Sequence, residues 1–284
     1  MRWTPHMEEH LQHLQDEPET PGDEVLVTIV KVSRIMDDLL LAVPPAHLAS
    51  VEGQSRTPPI LYVKSLVTKL DVTKQQLSQE LLGDKIVQSY LHNAYMMVNS
   101  IPVMNSSCLN IKSGLSDFGK TDCIYACVDV IKQGLDNWFS FAAEDVWAMP
   151  LAPMLQFGRC THILYRIYMT EDPAWDRFDL RKAIDLIQVL ERGAEVMETV
   201  PRTVSLHSDG DDFFARTSRT LSHAATLWKR AFAESGVGDN YDCGIQGSTG
   251  SGAGDFTFDG LMSMDTFDDA WLSEIFTSWD SHQE

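Results

Sequence analysis

The 284 residues predict an all-α protein: an irregular multi-helix bundle of about seven or eight helices, followed by a disordered acidic tail. Three observations predict it. Apolar residues recur at a 3.6-residue period in segment after segment from the N-terminus to about Phe232. Hairpin signals are missing, since Asp209-Gly210 and Asp259-Gly260 lack alternating runs on both sides. Composition then changes abruptly, because residues 233–284 hold eleven acids and no Lys or Arg. The chain therefore divides into a helical body, 1–232, and a Gly-rich linker with an acidic-aromatic tail, 233–284.

Within the body, Val25, Ile29, Val32, Met36 and Leu39 mark a helix over 25–40, with Asp23 as its expected N-cap and Pro44-Pro45 as its end. Leu66, Leu70, Leu77 and Leu81 mark a second over 61–82, interrupted near Gly83. A third over 85–99 carries Ile86, Tyr90, Leu91, Ala94 and Val98 and is expected to stop before Pro102. Residues 122–141 place Ile124, Cys127, Val128, Ile131 and Leu135 on one face. Residues 154–169 are apolar enough for a central helix entered through Pro150 and Pro153, and 178–197 and 211–232 complete the set. The stretches 50–59 and 201–210 are polar connections.

Charge and cysteines exclude several classes of function. The 41 acids outnumber 22 bases for a formal charge of −19, so the chain is a poor candidate for gripping nucleic-acid phosphates by itself. Taking the eleven tail acids away leaves 30 against 22 bases, a body charge of −8. Cys108, Cys123, Cys127, Cys160 and Cys243 form neither a disulfide framework nor a four-cysteine zinc site. Residues 1–6 have no apolar run and no window approaches 18 uninterrupted apolar residues, so neither secretion nor membrane spanning is expected. Without export, the sequon Asn105-Ser106-Ser107 carries no meaning.

Signals of chemistry are weak. His6, His10 and His13 would share a helix face as metal ligands sometimes do, but no distant carboxylate or cysteine completes a site. A solvated or half-buried face beside the apolar stripe of Trp3, Met7, Leu11 and Leu14 is the simpler reading. Cys123 and Cys127 read as small core residues. The acid pairs Asp37-Asp38, Asp211-Asp212 and Asp268-Asp269 suggest the Asp-rich helix ends of an isoprenoid synthase. That site needs a further acid one turn on and a basic cluster for diphosphate, and neither is present. GxSxG, phosphate-binding glycine loops and HExxH are all missing. No catalytic residue and no metal ligand is therefore assigned.

The tail carries the one strong functional signal. Five glycines between Gly244 and Gly254 make a flexible linker. Beyond it Phe256, Phe258, Leu261, Phe267, Trp271, Leu272, Ile275, Phe276 and Trp279 are interleaved with Asp and Glu, the composition of an activation segment. Carboxylate repulsion opposes collapse of the rings and leaves them available to a partner. Phe267, Trp271, Leu272, Ile275 and Trp279 would form one stripe on a helix bound in a groove. The competing reading is a C-terminal helix that docks on the body.

The order of segments resembles the regulatory domain of fungal zinc-cluster (six-cysteine binuclear) transcription factors. Trp3-Thr4-Pro5-His6-Met7-Glu8-Glu9 with Leu14 is similar to that family's first helix, and residues 23–36 (DEVLVTIVKVSRIM) to its second. Ser89-Tyr90-Leu91-His92-Asn93-Ala94-Tyr95 resembles its Leu-His-x-Ala helix, and residues 123–139 its Cys-x-x-Ala helix. Residues 164–176, ending Asp172-Pro173-Ala174-Trp175-Asp176, are the most specific stretch, and 211–228 (DDFFARTSRTLSHAATLW) resembles its last long helix.

This resemblance covers about 1–232. It implies a nuclear, non-enzymatic regulator of a metabolic or secondary-metabolite pathway. It also implies recruitment of transcriptional coactivators through the acidic tail and a homodimer in a full-length context. The family's six-cysteine zinc module is absent, as are its basic linker and any basic localisation run. No cofactor, no direct DNA contact and no membrane contact are therefore expected of these residues. A fragment, a truncated gene model and a natural form without a DNA-binding module all fit. A ligand-sensing or scaffold protein whose tail is an autoinhibitory latch is the alternative.

Overall fold

A computed structural model of the chain describes residues 3–42, 59–104, 116–169, 176–205 and 212–235. Every described element is a helix, and there are eleven: α1 (Pro5–Asp16), α2 (Pro21–Ala42), α3 (Pro59–Gln75), α4 (Gln79–Gly83), α5 (Lys85–Met104), α6 (Ser116–Trp138), α7 (Ala143–Ala148), α8 (Leu151–Met169), α9 (Arg177–Ala183), α10 (Leu186–Thr203) and α11 (Phe213–Glu234). Eight have twelve residues or more, and three short ones account for the excess over the expected number. They fall into two compact units, residues 1–140 and 141–284.

In the first unit α5 is the hub, packed by α2, α3, α4 and α6, while α1 lies on α2. Val32, Ile35 and Leu39 of α2 meet Val63, Leu66 and Leu70 of α3 over Val87, Leu91, Ala94 and Val98 of α5. Val32, Leu39, Leu66, Leu70, Leu91, Ala94 and Val98 are among the residues whose period marks the helices. Ile35, Val63 and Val87 are buried without being marked by it, whereas Met36 and Ile86, which the period marks, are only partly buried. A polar tie fixes α5 against α6: Asn137 Nδ2 donates to Lys85 O and Ser89 Oγ, both at 3.0 Å. Lys85 Nζ donates to Ser140 O at 2.7 Å.

The second unit is built on α8, which is buried from Pro153 through Tyr168 except at Leu155, Arg159 and Arg166. The expected central helix is thus found. Helix α10, with Leu186, Ile187 and Leu190 buried, packs on α8, α7 and α11. Tyr165 stacks on Trp228 (4.6 Å between ring centroids, 25°) and on Phe232 (5.7 Å), so an aromatic column joins α8 to α11.

Several boundaries differ from expectation, each for a local reason. Helix α2 starts at Pro21, where the missing N–H costs nothing. Asp23 is therefore inside the first turn and reaches back, its Oδ2 accepting from Glu19 N (2.9 Å) and Thr20 N (2.8 Å). Helix α5 runs through Pro102 to Met104, since a proline in the last turn removes one hydrogen bond without ending the coil. Helix α6 starts six residues early, at Ser116, and α10 continues past Pro201 to Thr203. The 61–82 stretch breaks at Gln76–Ser78, where Ser78 caps α4 by accepting from Leu81 N at 3.2 Å.

Candidate interaction surface

All nine tail residues singled out by sequence, Phe256 through Trp279, lie outside the described residues, as does the Asp172–Trp175 signature. What the structure does position is the point from which the tail departs. Helix α11 is started by Asp212, whose Oδ1 accepts from Ala215 N at 2.8 Å. It is anchored along its length by Phe214, Leu221, Ala225, Trp228 and Phe232, all buried. At its end Ser235 N donates to Ala231 O (3.0 Å), and the Ser235 hydroxyl lies 3.8 Å from Met169 Sδ of α8. The 49 residues that follow thus leave from a fixed place on the second unit.

The outward face of α11 is basic, unlike the chain as a whole. Arg216, Arg219, His223 and Arg230 recur at i, i+3, i+7 and i+14, with only Glu234 opposing them on this helix, paired to Arg230 at 2.8 Å. The same spacing is legible in residues 216–230, although the sequence expectation for this helix rests on its length and its resemblance to the last long helix of the zinc-cluster family. Elsewhere in the second unit Trp147 is 47% exposed while its ring leans on Phe214 at 5.7 Å, and Leu151 one turn on is also exposed. In the first unit a cleft of about 450 Å³ between α2 and α3 is lined by Lys31, Arg34, Asp38, Lys69 and Val72 among others. Three of its charges are engaged: Lys69 Nζ meets Asp38 Oδ2 at 2.8 Å, and Arg34 pairs with Glu8 beneath the Trp3 ring.

The groups that invited catalytic readings have structural roles. Cys123 and Cys127 are buried in the first unit, and Cys127 Sγ points to Met96 O at 3.7 Å. Burial pushes the Cys160 thiol up to about 12, which keeps it protonated and unreactive. His92 is held down to about 4 by desolvation first and by the Lys74 charge second, so it is neutral at physiological pH. Desolvation, then a 2.6 Å bond to Asp71, raises Tyr95. Of the acid pairs, Asp38 serves Lys69 and Asp212 caps α11. Among the described residues no three His, Cys, Asp or Glu side chains are grouped to hold a metal, and no helix is long and apolar enough to cross a membrane.

Comparison with known proteins supplies what geometry does not. A family model described as a C-terminal domain matches residues 143–283, which takes in α7 to α11 and nearly all of the tail. A protein of Penicillium oxalicum named transcription factor opdL is 23% identical over 237 residues, covering 80% of this chain and 40% of that protein. A transcription factor of Aspergillus terreus is 21% identical over 295 residues, covering 97% of this chain and 49% of that one. The chain thus spans less than half the length of these curated relatives. No solved structure matches. The enzyme reading has no support among relatives that are transcription factors. In sequence, then, the chain is similar to fungal transcription factors and matches a C-terminal domain over residues 143–283.

Proposed function

We propose that the chain is the regulatory and effector part of a fungal, pathway-specific transcription factor of the zinc-cluster class, with a secondary-metabolite pathway as its target. The helical units form the regulatory body, and the acidic-aromatic tail recruits coactivators in the nucleus. Contact with DNA belongs to a six-cysteine zinc module outside these residues, and a homodimer to the full-length context. One observation supports the reading most: the match to a C-terminal domain runs from α7 into the tail, over residues 143–283, so the segment with activation-type composition is matched along with α11. Composition supports it as well: the aromatic segment follows a Gly-rich stretch and is interleaved with Asp and Glu, the composition of an activation segment.

The test is a fusion of residues 233–284 to an unrelated DNA-binding domain, read by a reporter gene. The fusion activates transcription, and replacing Phe267, Trp271 and Phe276 by Ala lowers the signal at least about tenfold, as loss of aromatic anchors does at other interfaces. An inert wild-type fusion overturns the proposal.

A further inference from the structure

We propose that His6 and His10 of α1 form a two-histidine chelate for a divalent transition ion of tetragonal preference, Cu(II) above all. The sequence shows only three histidines on one face. The structure goes further and pairs two of them: the Nε2 atoms of His6 and His10 lie 3.0 Å apart, with ring centroids 4.2 Å apart and ring planes at 69°.

The separation selects the ion. With metal–nitrogen bonds of about 2.05 Å, nitrogens 3.0 Å apart subtend about 94° at the metal. That matches the right angle between neighbouring ligands of square-planar or tetragonal Cu(II) and Ni(II), not the tetrahedral angle of Zn(II). The Irving–Williams order also places Cu(II) first. Water completes the coordination.

The surroundings suit a cation. Helix α1 carries Glu9 and Asp16 and no Lys or Arg, its third acid, Glu8, being paired with Arg34 of α2. In the free pair one Nε2–H donates to the other ring; on binding, that ring keeps its proton on Nδ1 instead and both Nε2 lone pairs face the ion. Glu9 Oε2 is 3.9 Å from His6 Nδ1, beyond hydrogen-bond distance but on the side of the ring where carboxylates stand behind many metal-bound histidines. The backbone beneath is fixed as well. Thr4 caps the helix by accepting from Met7 N (3.3 Å), Pro5 stands at its start, and Trp3 Nε1 donates to Glu8 Oε2 at 2.7 Å. Two ligands one turn apart on a capped helix lose little entropy on chelation.

The experiment titrates the full metal-free chain with Cu(II), Ni(II) and Zn(II), following stoichiometry by calorimetry and the ligand set by electron paramagnetic resonance of the Cu(II) form. One equivalent of Cu(II) binds, with two equatorial imidazole nitrogens, and more tightly than Ni(II) or Zn(II). His6→Gln or His10→Gln weakens it at least about tenfold by ending chelation, whereas His13→Gln leaves it unchanged. The three side chains are exposed, so circular dichroism of each variant matches the wild type. If the affinity survives in the His6→Gln, His10→Gln double variant, the ion is adventitious on others of the nine histidines and the proposal fails. It fails equally if His13→Gln weakens binding as much as the other two.

Discussion

Two glycines show how one substitution changes sign with its surroundings. A Cβ on Gly193 of α10 would lie 2.6 Å from Phe157 Cζ and 3.3 Å from Leu221 Cδ1, both buried. The gain in helix propensity, about 1 kcal/mol, is smaller than the cost of forcing a ring aside in a filled core, roughly 1–3 kcal/mol. Gly193→Ala is therefore expected to destabilise the chain in urea unfolding. A Cβ on Gly134 of α6 meets nothing closer than His92 Cβ at 3.4 Å, an ordinary contact. Gly134→Ala is expected to stabilise by roughly 0.5–1 kcal/mol in the same measurement. The sequence shows two helical glycines and cannot tell them apart. His92 adds a pH dependence. Its pKa falls from 6.5 to about 4 on folding, and its buried Nδ1 makes no hydrogen bond. Between those values the unfolded chain binds the extra proton, so its contribution is complete above pH 6.5 and is lost as pH drops toward 4. The loss amounts to no more than about 3 kcal/mol. Melting followed from pH 7 to 4 is expected to show the decline, and His92→Gln to reduce it.

At the scale of elements, the break between α9 and α10 is the clearest case of a tertiary decision. Residues 178–197 read as one helix, yet the coil stops at Ala183 and restarts at Leu186. Asp185 caps the new helix by accepting from Ile187 N (3.1 Å) and Gln188 N (3.2 Å). The break is met from another helix: the Tyr168 hydroxyl of α8 lies 2.8 Å from Ile184 O and 3.1 Å from Leu180 O, which also accepts from Ile184 N. Tyr168→Phe is expected to cost about 1–3 kcal/mol in equilibrium unfolding, because it takes the hydroxyl donor from Ile184 O, whereas Leu180 O keeps Ile184 N at 3.3 Å. Nothing in the periodicity of 178–197 announces this break, since the partner that makes it affordable lies ten or more residues upstream. The helix beginnings at Asp212 and Ser78, by contrast, are local events that a capping residue writes into the sequence.

For the whole molecule, composition and packing draw different lines. Charge and glycine content change after residue 232, where the sequence separates body from tail, whereas the helices cluster into units that meet at residue 140. Both sides of that second line have the same ordinary apolar content, and only contacts distinguish them. The proposed division of labour carries its own expectation. A chain ending at Ser235 should lose all reporter activation when fused to a DNA-binding domain, while its melting temperature stays within about 2 °C of the full chain. A drop in melting temperature of several degrees would instead assign the aromatic segment to the body's own core.

The sequence by itself determined the all-α class, the eight long helices, the buried faces of α5, α6 and α8, and the acidic-aromatic character of the tail. Those properties follow from periodicity and composition, which are local. Only the tertiary structure decided that Gly193 is indispensable and Gly134 is not, that 178–197 is two helices, that Asp38 and Asp212 serve an ion pair and a cap, and that His6 and His10 bring two nitrogens within 3.0 Å. Each depends on which atoms lie across a gap of 3 to 4 Å, and that is settled when helices pack rather than when they form.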